Sequence, residues 1–155
     1  MVSDHAYARL SILLPAGALR ALGRLNVPIY RLTRGRLMNK VGAAPVLLLT
    51  SVGRRSGQPR TAPVVYGRDG ERLFVVSSNG GNHNQPGWAY NLKANPDAEI
   101  EIGNARSLVR ASVVEGEERA RVWRLMNELY GGFEDYDENV ARSIAVFALE
   151  PRAAA

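Results

Sequence analysis

The sequence predicts a mainly β domain of the α+β class: a small antiparallel barrel of six strands, closed or partly closed, with a few peripheral helices. Three observations carry that expectation. Short apolar or alternating segments recur between residues 45 and 150, and alternation at period two marks a strand with one buried face. Turn dipeptides, Asp69–Gly70 and Gly103–Asn104, join neighbouring segments as hairpins. Helical signals are few and fall between these segments or ahead of them.

The elements follow in order. AYARLSILLPAGALRALGRL (6–25) reads as an amphipathic helix with a weak point at Pro15–Gly17. Asn26 is placed to cap a second short helix with Pro28 in its first turn. That second stretch mixes Ile29, Tyr30, Leu32 and Leu37 with Arg31, Arg34, Arg36 and Lys40. A basic amphipathic segment can lie on an anionic membrane surface, or it can pack its apolar face on the domain. The chain thus divides into an N-terminal segment, 1–40, and a barrel domain, 41–151. PVLLLTSVG (45–53) is a short buried strand. TAPVVYGR (61–68) and RLFVVSS (72–78) pair through Asp69–Gly70, and AEIEIG (98–103) and SLVRASVV (107–114) through Gly103–Asn104. SIAVFALE (143–150) is a late strand. Helices are expected at 86–94, from Pro86 to the stop at Asn95–Pro96, and at about 117–130.

The chain has 155 residues, the size of one domain, and 46% hydrophobic content fits a folded protein. It has no cysteine. That excludes disulfides, thiol nucleophiles and cysteine metal sites, and it fits a reducing, cytoplasmic compartment. No signal peptide is seen, and no apolar run approaches the ~18 residues of a membrane span. Net charge is +5, unevenly placed. Residues 1–68 hold eleven Arg and Lys against Asp4 alone; residues 69–155 hold nine basic and fourteen acidic residues. A basic half predicts an anionic partner: a phosphate-bearing ligand, an anionic lipid or a nucleic acid.

Much chemistry is excluded. His5 and His83 are the only histidines, so a zinc site is improbable. There is no G-x-S-x-G elbow, no phosphate-binding G-x-x-x-x-G-K-[ST] and no strand-linked G-x-G-x-x-G. What remains is chemistry brought by an organic cofactor, with the protein supplying binding, orientation and electrostatics.

Two stretches suit such a ligand. VGRRSGQPRTAP (52–63) places Arg54, Arg55 and Arg60 beside Gly53, Ser56 and Gly57. Guanidinium groups offer forked, permanently charged donors for phosphate and carboxylate, and backbone N–H groups in such a turn can form an anion nest. A solvated hairpin loop would have the same composition. SSNGGNHNQPGWAYNLKANP (77–96) leaves a strand through Gly80–Gly81 and enters a helix carrying Trp88 and Asn91. Bare backbone at a strand end admits a ligand. Trp88 is either a stacking platform or a core tryptophan.

These stretches, taken together from Pro45 to Gly103, resemble the deazaflavin-dependent nitroreductase family, whose members bind coenzyme F420. The motifs are G-R-[RK]-[ST]-G-x-x-R followed by S-x-G-G-x(5)-P-x-W-x-x-N-L-x-A-N-P; a weaker likeness continues to Pro151. The resemblance implies a split β-barrel of the FMN-binding type. It implies that Arg54, Arg55, Ser56, Gly57 and Arg60 hold the phosphate and polyglutamate arm. It implies that Ala62, Pro63 and Val64 line the deazaflavin slot with Ser77, Ser78, Asn79, Gly80 and Gly81, and that Pro86, Gly87, Trp88 and Asn91 complete it. Tyr66, Ser78, Tyr130 and Tyr136 match the positions over the ring, with Tyr130 or Tyr136 as donor of a hydrogen bond or proton. Phe133 replaces a tyrosine found in some members, and Asn79 replaces a lysine. The implied activity is hydride transfer from reduced F420 to quinone, enone or nitro-aromatic acceptors. Peripheral contact of residues 6–40 with the inner face of the cell membrane and a homodimer are further expectations. The rivals are an FMN oxidoreductase on the same barrel, a non-catalytic cofactor carrier, and a basic nucleic-acid module. Against the last, the arginines are not interleaved with aromatics along one strand face.

Overall fold

The computed structural model describes residues 15–78, 85–130 and 144–153. Among the described residues there are seven strands: β1 Lys40–Val41, β2 Ala44–Val52, β3 Pro59–Asp69, β4 Arg72–Val76, β5 Asp97–Ile102, β6 Ala105–Val114 and β7 Val146–Pro151. The helices described are α1 Ala16–Leu32, α2 Gly87–Ala94 and α3 Gly116–Leu129. Strand order is β1-β2-β3-β4-β7-β6-β5, and β5 pairs back onto β2. The six predicted strands therefore close into an antiparallel barrel, and the two-residue β1 is an unpredicted addition at its side. Both hairpin turns fall where expected. Gly70 and Glu71 link the Asp69–Arg72 pair, Gly103 and Asn104 link Ile102–Ala105, and both glycines sit at positive φ (63° and 61°).

Alternation sorts the strand residues into two cores. One face of all six barrel strands contributes to a single cluster: Leu47 and Leu49, Val64, Leu73 and Val75, Ala98 and Ile100, Val109 and Ala111, Phe147 and Leu149. A face shared by every strand of a closed barrel is its interior. Helix α2 adds Trp88, Ala89 and Leu92 to the same cluster. The opposite face, with Phe74, Val76, Val114, Val146 and Ala148, is covered by Val122 and Met126 of α3. Each fully buried leucine or phenylalanine contributes on the order of 1.5–3 kcal/mol.

At the N-terminus the structure corrects the sequence reading. Asn26 caps nothing and Pro28 is not in a first turn; both lie inside the single helix α1, whose N-cap is Pro15. Proline there removes one intrahelical donor, but tertiary contacts just downstream hold the helix together. Tyr30, 1% exposed, directs its hydroxyl at the carbonyls of Val46 (3.2 Å) and Glu101 (3.4 Å) and accepts from the Gly103 amide (2.9 Å). Burial raises the Tyr30 phenol above its ordinary pKa, so it stays a neutral donor. Arg31 forms a forked pair with buried Glu101, its Nη2 lying 2.8 Å from Oε2, and that bond raises the arginine's pKa. Arg106 reaches the other oxygen at 3.4 Å, so the buried carboxylate meets two guanidiniums.

The helix ends in a Schellman arrangement: the Gly35 amide donates to Tyr30 O (2.8 Å) and the Arg34 amide to Arg31 O (3.1 Å). Arg34 carries the left-handed conformation at φ 53°. Among the described residues no helix is long and apolar enough to cross a membrane.

Candidate functional site

The β2–β3 connection, residues 53–58, is built around its own hydrogen bonds. The Gly53 amide donates to Gln58 O and the Gly57 amide to Gly53 O, each at 2.8 Å, and the Gln58 amide donates to Ser56 Oγ at 3.2 Å. Gly57 has φ +69° with open space where a Cβ would lie. A Cβ on Gly53 would come within 2.5 Å of Ser56 Oγ, so glycine there permits the tight fold-back. Beneath the loop, Thr50 and Thr61 hydroxyls pair across the strands at 2.8 Å.

Helix α2 anchors this loop from the side. Asn91, 5% exposed, accepts the Arg54 amide on Oδ1 (3.0 Å) and donates from Nδ2 to Ser51 Oγ (3.2 Å). The Arg54 guanidinium lies over the Tyr90 ring, 4.5 Å from its centroid. With those bonds made, the amides of Arg55 and Ser56 have no hydrogen-bond partner among the described residues. Two adjacent free donors in a turn are the elements of an anion nest.

The arginines show the same pattern. Arg31, Arg72, Arg106, Arg110, Arg121 and Arg152 each pair with a carboxylate. Arg54, Arg55 and Arg60 are exposed and none pairs with one among the described residues; Arg60 reaches only Ser56 Oγ, at 3.4 Å. Three guanidiniums without counter-ions beside two free amides fit a phosphate or several carboxylates, and that donor set fits the acidic arm of a deazaflavin cofactor.

The other predicted residues are placed as follows. Ala62, Val64, Tyr66 and Trp88 all pack in the barrel-interior cluster, and Pro63 lies between them on β3, half-buried. Trp88 is 8% exposed and meets Phe147 edge-on at 5.7 Å, so it is a core tryptophan. Ser77 and Ser78 are buried just past β4; the Ser77 hydroxyl accepts the Ala145 amide at 3.0 Å while its own amide donates to Ala145 O at 2.9 Å. Pro86 is buried at the N-cap of α2, and Gly87 is exposed with open space at its Cβ position. Tyr130 is 2% exposed in the outer cluster with Met126 and Val122, so Tyr130 and Tyr66 belong to opposite faces of the sheet. Asn79, Gly80, Gly81, Phe133 and Tyr136 lie outside the described residues. Sequence reasoning missed Ser51 and Tyr90. Ser51 sits forty positions from the amide it holds, a contact no local pattern signals. Tyr90 did carry a signal: an aromatic beside Asn91 on the helix expected to complete the cofactor slot.

Comparison with known proteins follows from this geometry. The sequence matches the family model described as F420H(2)-dependent quinone reductase over residues 22–151. It is similar to an F420H(2)-dependent quinone reductase of Mycobacterium tuberculosis, 41% identical over 133 residues, covering 83% of this chain and 89% of that protein. Among solved structures, the F420-H2 dependent reductase FDR-A superposes with TM-score 0.63 at 34% identity, over 68% of this chain and 94% of that one. Another, described as a domain-swapped dimer, has TM-score 0.65 at 30% identity, over 88% of this chain and 100% of that one. With the arginine loop held open by α2 and a family match spanning the barrel, the chain belongs to the F420H(2)-dependent quinone reductase family, as an oxidoreductase whose cofactor is coenzyme F420.

Proposed function

We propose that this chain reduces quinones with F420H2, holding the acidic arm of the cofactor on the β2–β3 loop. The observation that carries the assignment is that, among the described residues, three arginines have no carboxylate partner and lie beside Arg55 and Ser56 amides that make no hydrogen bond. FMN offers one phosphate to such a set, whereas a polyglutamate arm offers several carboxylates. Bound there, the reduced deazaflavin supplies a hydride. The chain binds and orients: Arg54, Arg55 and Arg60 take the anionic arm, and Ala62, Pro63 and Val64 line the approach to the ring with Ser77 and Ser78. A quinone that gains a hydride becomes an anion that needs a proton. Tyr66, Ser78, Tyr130 and Tyr136 are the candidate donors; because Tyr66 and Tyr130 lie on opposite faces of the sheet, only one of those two can face the acceptor.

Fluorescence titration of the purified protein with F420, run beside FMN, tests this. Affinity for F420 on the order of micromolar and faster turnover with a quinone than with nitro or enone acceptors are expected. Tighter binding of FMN would overturn the assignment.

A second reading concerns α1. Leu25 (64% exposed), Ile29 (39%) and Leu32 (84%) recur at i, i+4 and i+7, which puts them on one outward stripe. Leu37 and Met38 extend the exposed apolar surface, and Arg24, Arg34, Arg36 and Lys40 lie exposed around it. Apolar side chains rimmed by cations suit the surface of an anionic bilayer, so residues 6–40 act as a peripheral membrane segment on the 41–151 domain. In co-sedimentation with phosphatidylglycerol vesicles, Leu25→Glu/Leu32→Glu is expected to lower the bound fraction several-fold. Wild-type protein that stays in the supernatant would end this reading.

A further inference from the structure

We propose that Tyr90 is a positioning residue for the cofactor's anionic arm, acting through Arg54; the inference deepens the F420 reading above and rests on it. Helix α2 grips Arg54 at both ends. Asn91 Oδ1 takes its amide at 3.0 Å, and the next residue up the helix, Tyr90, lies under its guanidinium at 4.5 Å. A free arginine side chain carries rotamer entropy, part of which a ligand must otherwise offset on binding. Stacking on Tyr90 restricts that freedom before any ligand arrives.

The geometry of the contact matters. The guanidinium carbon lies 4.5 Å from the ring centroid, and a guanidinium lying flat on a ring keeps its in-plane N–H donors pointing outward. In that arrangement Tyr90 fixes the group while leaving its donors available for phosphate or carboxylate. Arg55 and Arg60 have no such platform among the described residues. Tyr90 is 39% exposed; its hydroxyl takes no part in the contact, so the ring alone is required.

The test is a double-mutant cycle on the full chain, read as Kd for F420 by fluorescence. A parallel titration uses the deazaflavin chromophore without phosphate and glutamates. Tyr90→Ala is expected to weaken F420 binding about three- to fivefold, and Tyr90→Leu equally, because aliphatic bulk lacks the ring quadrupole. Tyr90→Phe stays within about twofold of wild type, and in an Arg54→Ala background Tyr90→Ala adds less than about 1.5-fold. Affinity for the truncated chromophore is unchanged, a pattern that general destabilisation would not give. Full loss persisting in the Arg54→Ala background, loss in Tyr90→Phe, or wild-type affinity in Tyr90→Ala would each overturn the role of Tyr90 and leave the F420 reading intact. Failure of the unmutated protein to bind F420 would overturn both.

Discussion

Gly35→Ala is expected to lower stability by about 2–4 kcal/mol and the thermal midpoint by roughly 5–15 °C. Two effects combine at this position. Gly35 has φ +73°, where an L side chain is disfavoured by about 1–2 kcal/mol. A Cβ built there would lie 2.5 Å from the Cα of Gly103 and 3.1 Å from its nitrogen. Both obstacles are backbone, so no side chain can swing away; either the end of α1 or the β5–β6 turn must move. That movement strikes the Tyr30 hydroxyl, which accepts the Gly103 amide. Gly70→Ala is the comparison, because Gly70 shares a positive φ (63°) but has nothing within 4 Å of its Cβ position. Its cost is expected near 1 kcal/mol. Equal thermal midpoints for the two variants would refute the close packing of α1 on the barrel.

The same contact explains why α1 was misread from sequence. Asn26 and Pro28 are good helix-start residues, and local preference places a boundary there. What keeps the helix continuous is Tyr30 and Arg31 reaching Glu101, seventy positions away. Such pairings leave no trace in a local pattern. The barrel strands were readable because each alternates over a face that every neighbour also buries, and because glycine marks both two-residue turns.

The site divides along the same line. Arg54, Arg55 and Arg60 were legible because a charged, glycine-bearing loop between two strands has a composition suited to anions. The division of labour in α2 was not. Trp88 could stack on a ligand or fill the core, and it packs edge-on against Phe147 at 5.7 Å, a contact no local pattern signals. Asn91 was expected to line the cofactor slot, and its two polar ends bind Ser51 and the Arg54 amide, so it also shapes the loop. Asn91→Ala would therefore confound binding with loop geometry, which makes the exposed arginines the better probes.

Replacing all three, Arg54→Ala/Arg55→Ala/Arg60→Ala, is expected to weaken F420 binding about 100-fold, taking about 1 kcal/mol for each exposed charged contact. The argument for a loss this large is that none of the three pairs with a carboxylate among the described residues. Arginines already bound to carboxylates would have to exchange one partner for another, with little net gain. Arg54, Arg55 and Arg60 exchange only water and the contacts with Tyr90 and Ser56. The thermal midpoint should move little, since all three are exposed. Salt separates charge from shape: wild-type affinity should fall between 50 and 500 mM NaCl as the Debye length shrinks, and that dependence should flatten in the triple variant. The chromophore without phosphate and glutamates should bind both proteins alike. If it loses as much affinity as F420 does, the arginines are shaping the ring slot, and the anionic arm lies elsewhere.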